Sequence, residues 1–411
     1  MTVAYIAQMF PSLTMTFVYR EVRALRAAGL QIQTFSTWRP NLDQLSEEAK
    51  GLVEGTFYIF PLDWPRFLLS HAWHLITRPR RYLGTLCFLL TREHRTFRNR
   101  LRTFYHFCEA VYLAKEIERR GIAHMHVHFA LNATTMAMVV NRLTDIPFSF
   151  TAHANDIFVN PILLPEKIKA ARFIIAISEY NKRFLHGIVP SPETLDKTHL
   201  VRYGVDTQAF SPPARRPDND RPIILDVARL VEKKGHPYLV KACKILADQG
   251  YDFQCLIVGD GPQGSLLQQM IEENGLSDRV TLVGVVFQEN LKSYLNRADI
   301  FVLPCIVASD QDRDGLPNTL IESMAMGIPT ISTTVSGIPE LIAHMETGLL
   351  VPPRNEVSLA QAIATLLEDK ELTAVLGRGG RAKVVEEFEI GKNAERLFHV
   401  FEAYLEDRSH L

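Results

Sequence analysis

The feature that most constrains this chain is a rhythm of short β-rich runs separated by helical patterns. In the first half VAYIA (3–7) precedes a helical pattern over 17–28 stopped by Gly29. IQTFS (32–36), HMHVHF (124–129), FSFTA (148–152) and FIIAIS (173–178) then follow. Parallel strands cannot be joined by tight turns, so this alternation predicts α/β units whose parallel sheets are covered by crossover helices. The rhythm breaks between about 62 and 120, where an aromatic and arginine-rich helical insertion is expected. It pauses again at SPPARRPDNDRP (211–222), which is rich in Pro and charge and has no apolar period. It then restarts with PIILDVA (222–228), FQCLIVG (253–259), RVTLVG (279–284), DIFVLP (299–304) and PTIST (329–333). A chain of 411 residues exceeds what one core sustains. The expected division is therefore 1–212, then 213–390, with a helix over 391–411 returning to the first domain. Ligands of such sheets lie beyond the carboxyl ends of the strands, in a cleft.

Composition removes several alternatives. With 45 basic and 46 acidic side chains and a net charge of −1, no global field recruits nucleic acid. The five cysteines form no CxxC pair and are odd in number, which argues for a reducing, cytoplasmic setting without a disulfide framework or structural zinc. The start MTVAYIAQMF reads as a first strand rather than a signal peptide. FLLSHAWHLI and TLCFLL fall short of the ~18 residues that span a bilayer.

Three motifs are weak by themselves. VGDGPQG supplies Gly259, Gly261 and Gly264 at GxGxxG spacing, but the next strand ends in Gly284 where a ribose-binding acid should stand, so a tight turn is the plainer reading. Asp310, Asp312 and Asp314 alternate before Gly315 like a calcium loop, yet the sixth residue after that glycine is Ile321, not glutamate. His124, His126 and His128 share one face of a strand, where the outer two stand ~13 Å apart and cannot share a metal. His128, nearest the carboxyl end, is the one expected to meet a ligand. No metal site is expected.

The second half carries a stronger combination. Arg229 and Lys234 follow the strand at 223–227, placing two cations at the carboxyl edge of the sheet. In DGLPNTLIESMAMG, Gly315 and Leu316 lead to Pro317 as the expected first helical residue, with Gly327 as the stop. Free amides of Asn318 and Thr319 suit a phosphate there, and Glu322 suits ribose hydroxyls. Cations, a helix start and a carboxylate on a parallel sheet point to a nucleoside diphosphate.

The ordered segments VARLVEKKGH, VGDGP, VTLVGVV, ADIFVLPC and DGLPNTLIESMAMGIPTISTTVSGIPELI, preceded by FPSLTMTFVYRE, TAHANDIF, AISEYNKRFL and VRYGVDTQAF, resemble glycosyltransferase family 4 across almost the whole chain. The GLPN variant and the FPSLTMTF start look like the branch acting in bacterial exopolysaccharide and lipopolysaccharide assembly. The resemblance implies a retaining, metal-independent GT-B enzyme with two Rossmann-like domains. A UDP- or GDP-sugar would be its substrate, with no cofactor, and a glycan or lipid-linked molecule its acceptor. The location implied is cytoplasmic, peripheral on the inner face of the membrane.

By position, the resemblance also implies that Arg229 and Lys234 clamp the diphosphate. Glu322 would bind ribose, Val286 would lie by the base, and the turn at Gly259 would border the donor. His153 would face the transferring sugar, while Ser12, Thr14 and Thr16 would border the acceptor. One position departs from the family pattern: Asp314 stands where the first of two glutamates is usual, a charge one methylene shorter against the donor sugar. Transfer on the front face is implied, and a sugar-nucleotide epimerase and a non-catalytic nucleotide-sugar binder remain as alternatives. In the insertion, eight arginines from Arg78 to Arg102 stand against a single Glu93, which suits either an anionic membrane or a solvated helical surface.

Overall fold

A computed structural model describes residues 2–12, 15–45, 47–92, 96–159, 161–286 and 288–406. It contains two compact units, Met1–Arg202 with Asn393–Leu411, and Tyr203–Lys392.

The first unit is built on a seven-stranded sheet in the order β3-β2-β1-β4-β5-β6-β7. Its strands are β1 (Thr2–Met9), β2 (Gln31–Trp38), β3 (Thr56–Tyr58), β4 (His124–His128), β5 (Phe148–Ala152), β6 (Ile174–Ala176) and β7 (Thr198–Leu200). Every pairing is parallel. Strands β4 and β5 are buried along their whole length, and their alternating polar residues meet one another inside, His124 and His126 with Ser149 and His126 with Thr151. The helix Thr16–Ala27 turns Val18, Tyr19, Val22 and Leu25 inward at helical spacing and stops before Gly29, whose φ is +102°.

The second unit has six strands in the order β10-β9-β8-β11-β12-β13. They are β8 (Ile223–Val227), β9 (Gln254–Val258), β10 (Val280–Gly284), β11 (Ile300–Leu303), β12 (Thr330–Thr333) and β13 (Leu349–Val351), again all parallel. In each sheet the strand order reverses beside the first strand, between β1 and β4 and between β8 and β11. A crevice at the carboxyl ends is expected at such a point.

The division falls at Arg202–Tyr203 rather than at 212–213. The reason is local pairing. Val205 donates to the Phe388 carbonyl at 2.8 Å and accepts from the Ile390 amide at 3.0 Å, and both Val205 and Phe210 are buried in the second core. The proline-rich stretch lies on that same unit, where Arg216 bonds the Met326 carbonyl at 2.8 Å. From Asn393 the helix Ile390–Glu406 belongs to the first unit, and Leu397 and Phe401 are buried with Val3, Tyr5 and Phe173.

The insertion folds as the helices Trp64–Thr77, Pro79–Thr91 and Phe97–Arg119. Asp63 caps the first and Thr96 the third, each accepting a backbone N–H. The second half of the third helix enters the core through Phe107, Val111, Leu113 and Ile117, and the second helix through Leu89.

Candidate active site

In the second unit the chain after β8 runs through exposed Arg229 into a short 3-10 turn, Glu232–Lys234. Gly235 ends that turn at φ +73°, and a Cβ there would sit 1.9 Å from the Pro304 carbonyl oxygen. Only glycine lets the turn lie against the end of β11. Lys234 is thereby brought to Asp314, with Nζ 2.7 Å from Oδ2, while the Lys233 Nζ stands 3.1 Å from Asp312 Oδ2 and 3.4 Å from Asp314 Oδ1. The Cys305 thiol also donates to Asp314 Oδ2 at 3.4 Å. Burial works against the charge on Asp314, but Lys234 and then Lys233 outweigh it and hold the carboxyl at about 2. Burial likewise opposes the charge on Lys234, and the Asp314 carboxylate overcomes it, leaving the ammonium above the usual lysine value.

Two of the acids in the calcium-like motif are thus neutralised by lysines. Lys234 and Asp314 form one ion pair, which the sequence did not reveal, and Lys233 completes it. Below this cluster Asp226 and His236, both fully buried, are joined at 3.1 Å between the strand and the following helix.

Pro317 stands at the N-cap of the helix Asn318–Ala325 rather than inside its first turn, because its ψ is 124°. It cannot cap with a side chain. The Asn318 and Thr319 amides bond no acceptor among the described residues, and the Thr319 hydroxyl oxygen is buried without a partner. Glu322 lies buried one turn farther along on the same side as Asn318, and Gly315 and Leu316 are buried just ahead. After Met326 the helix ends in Gly327 at φ +64°. At the neighbouring strand ends, a Cβ on Gly259 would meet the Ala228 oxygen at 1.9 Å, so that glycine serves close packing of two loops. Val286 is half-buried just beyond β10. The Arg229 guanidinium pairs with no carboxylate among the described residues.

In the first unit the carboxyl ends of β4 and β5 bring His128 and His153 together, Nδ1 to Nε2, at 3.2 Å. His128 Nε2 lies 3.0 Å from Glu21 Oε1, which also accepts from the Tyr5 hydroxyl at 2.9 Å. A Glu21 carboxylate only accepts, so His128 donates to it through Nε2. Burial, followed by the His128 charge, pushes His153 well below the usual histidine value and keeps it neutral. Phe129, at φ +70°, stacks on His153 with ring centres 4.0 Å apart. Backbone strain of this kind in a bulky residue persists only where its surroundings enforce it.

The buried Asp156 carboxylate accepts the Ala130 amide at 2.7 Å and the His153 amide at 3.1 Å. Nearby Lys167 donates to the Ala130 carbonyl at 2.8 Å and is held at about 7, chiefly by burial. None of Glu21, Asp156 and Lys167 was visible as a site residue: Glu21 lies 107 positions from His128, and Asp156, though only three from His153, acts through backbone amides that no motif marks. His124 and His126 belong to the sheet interior, bonded to the Ser149 hydroxyl at 2.7 and 2.8 Å. Glu21, His126 and His128 offer ligand atoms within 4.8 Å of one another, but hydrogen bonds already engage all three. Ser12 and Thr16 are half-buried ahead of the helix and at its first residue, and Thr14 lies outside the described residues. A cavity of about 1030 Å³ opens at the amino ends of β4, β5 and β6, between His124, Asp145, Arg172 and Tyr404. It lies at the opposite edge of that sheet from His153.

Two parallel sheets in separate units, with cations and an uncapped helix start at the carboxyl edge of the second, define a fold of the two-Rossmann-domain, GT-B kind. Residues 208–383 match the family Glycosyl transferases group 1, and the second unit carries a domain of that family. The chain is 38% identical over 203 residues to the amylovoran biosynthesis glycosyltransferase AmsK of Erwinia amylovora, covering 49% of this chain and 50% of that protein. It is 41% identical over 196 residues to the putative colanic acid biosynthesis glycosyltransferase WcaL of Escherichia coli K12, covering 47% and 48%. The chain thus spans about half the length of these curated relatives. Among solved structures, a glycosyltransferase from Rickettsia africae ESF-5 superposes with a TM-score of 0.73 over 99% of both chains at 18% identity, a likeness of fold.

Proposed function

We propose that the protein is a retaining glycosyltransferase of exopolysaccharide assembly, moving a sugar from a UDP- or GDP-sugar to a glycan or lipid-linked acceptor as a peripheral protein on the inner face of the membrane. The observation that carries this is the helix start at Asn318. Two amides unspent among the described residues and the positive end of the helix follow four residues after Asp314, which Lys234 holds, with buried Glu322 one turn on. Such a set stabilises charge that grows on a departing diphosphate, so the leaving group needs no metal ion to neutralise it. Lys234 spends one N–H on Asp314 and keeps two for phosphate oxygens.

Asp314, held by two ammonium groups at about 2, is a weakly basic carboxylate and a poor nucleophile. That favours front-face transfer through an oxocarbenium-like state over a covalent intermediate, and it suits Asp314 to a contact with the donor sugar. In the first unit His153, neutral and oriented by His128 and Glu21, is assigned to the transferring sugar. Ser12, Thr16 and Thr14 are assigned to the acceptor.

A panel of UDP- and GDP-sugars tests the reading by thermal shift and by product formation with a lipid-linked acceptor extract, with and without EDTA. Stabilisation by one donor and acceptor-dependent release of its nucleoside diphosphate, unchanged by chelator, are expected. Conversion of the donor without any acceptor would indicate an epimerase instead. Binding without turnover would indicate a non-catalytic binder.

A further inference from the structure

The helix Trp64–Thr77 is packed with its apolar side outward. At about 100° per residue, Trp64, Leu68, Leu69, Leu75 and Ile76 fall within one arc of about 140°. All five are exposed, Leu69 to 67% and Ile76 to 77%. The inward face carries Ser70 and His74, which are 4% and 0% exposed. A surface helix normally has the reverse arrangement. Both ring nitrogens of His74 are buried without a hydrogen-bond partner, and its pKa is lowered to about 4 by burial and then by the charges of Arg78, Lys115 and His71. The inner face is therefore poorly matched to the core, whereas the outer face forms an uninterrupted apolar stripe. A stripe of this size on a soluble surface marks a docking site.

The neighbouring helix Phe97–Arg119 supplies the charge. The two helices are bonded through His71 Nε2 and the Cys108 carbonyl at 3.2 Å. At its start, Phe97 (78% exposed), Leu101 and Phe104 form a second apolar band at i, i+4 and i+7. Arg100 flanks one side of that band, and Arg98 and Arg102 flank the other. These three guanidinium groups pair with no carboxylate among the described residues. Elsewhere in the insertion Arg78 pairs with Glu118 at 2.7 Å, Arg81 with Asp145, and Arg92 with Glu166 at 4.0 Å. The arginines of the insertion are thus not one uniform basic face. Arg95 lies outside the described residues. The arginines left unpaired at the start of this helix border exposed aromatic and aliphatic groups, an arrangement in which the stems lie on acyl chains and the heads reach phosphates. A two-fold contact between copies would instead bring like charges together.

We propose that these two exposed surfaces of the insertion dock on an anionic lipid bilayer. Trp64, Leu68, Leu69 and Ile76 enter the boundary between headgroups and acyl chains, and Arg98, Arg100 and Arg102 bind headgroup phosphates. The inference rests on the peripheral placement proposed above and names its surface and its lipid class.

The test is co-sedimentation with phosphatidylglycerol/phosphatidylcholine vesicles and with pure phosphatidylcholine vesicles. The full chain should bind the anionic vesicles at 0.1 M salt and leave them at 1 M, where the Debye length falls to ~3 Å. Arg98→Gln/Arg100→Gln/Arg102→Gln should weaken that binding roughly a hundredfold, and Leu68→Ser/Leu69→Ser/Ile76→Ser at least tenfold. Both variants should keep the melting temperature and the nucleotide affinity of the parent. Brominated lipid should quench the Trp64 fluorescence, a signal that Trp64→Phe removes. Equal binding to neutral vesicles, or no binding to either, would overturn the proposal. So would a dimer in sedimentation velocity that the triple serine variant dissociates, which would assign the face to a second copy. Transfer to a soluble acceptor without vesicle binding would sink this inference alone, whereas vesicle binding without transfer would sink only the transferase reading.

Discussion

At Asp314 two effects of opposite sign meet, and the larger is electrostatic. Burial would raise its pKa, and two lysines lower it to about 2, against ~3.9 for a free aspartate. The carboxylate therefore contributes stability that is fully present above about pH 4 and is lost as pH falls through about 2. Lys234, whose folded value lies above the ordinary lysine value, contributes below ~10.4 and loses its contribution as pH rises past its own pKa. Asp314→Asn leaves the Lys234 ammonium without its carboxylate, while Lys233 keeps Asp312, and should cost about 3 kcal/mol at pH 7. That difference should be flat from about pH 5 to 9 and should shrink towards pH 2.5 in urea titrations. A difference that does not change with pH would show that the charge is immaterial. Arg229 and Lys234 were legible as candidates because they follow a recognisable strand, Glu322 because it sits in a recognisable helix start, and Asp314 through the family resemblance. Their pairing was not, because no spacing rule says that a lysine after β8 will meet an acid after β11. Glu21 behind His128 was hidden for the same reason, separated from it by 107 residues.

At the scale of the element, glycines fix how the loops at the strand ends nest. Gly259 has φ +141°, and a Cβ would overlap the Ala228 oxygen at 1.9 Å, whereas at Gly275, with φ +64°, nothing lies within 4 Å. Gly275→Ala should cost ~1 kcal/mol through backbone conformation alone. Gly259→Ala should cost about 2–4 kcal/mol and loosen nucleotide binding, because the loop bearing Arg229 must move. Equal melting temperatures for the two variants would contradict this nesting. The long strands β1, β8, β9 and β10 were plain in sequence. The three-residue strands β3, β7 and β13 were not, since so short a run shows no period and forms only when a neighbour presents its edge. The insertion helices were legible as helices. Their orientation was not, because a helical pattern gives an apolar face without saying whether that face turns inward.

At the scale of the whole molecule, the two α/β units follow from the restart of the strand rhythm after a proline-rich stretch. The division is displaced to Arg202–Tyr203 because Val205 pairs beside Phe388, a contact between residues 183 positions apart. The proposed ligand of the second unit is a nucleoside diphosphate, bound by Arg229, Lys234 and the amides of Asn318 and Thr319. Arg229 tests that claim most cleanly. It is exposed and bonded to no carboxylate among the described residues, so its removal strands no buried charge. Titration calorimetry with UDP and GDP on the parent and on Arg229→Ala should show the bound nucleotide losing tenfold to a hundredfold in affinity, as expected from ~1.5–3 kcal/mol for a charge-assisted hydrogen bond, at an unchanged melting temperature. An Arg229→Ala protein that binds the nucleotide as tightly as its parent would contradict the account.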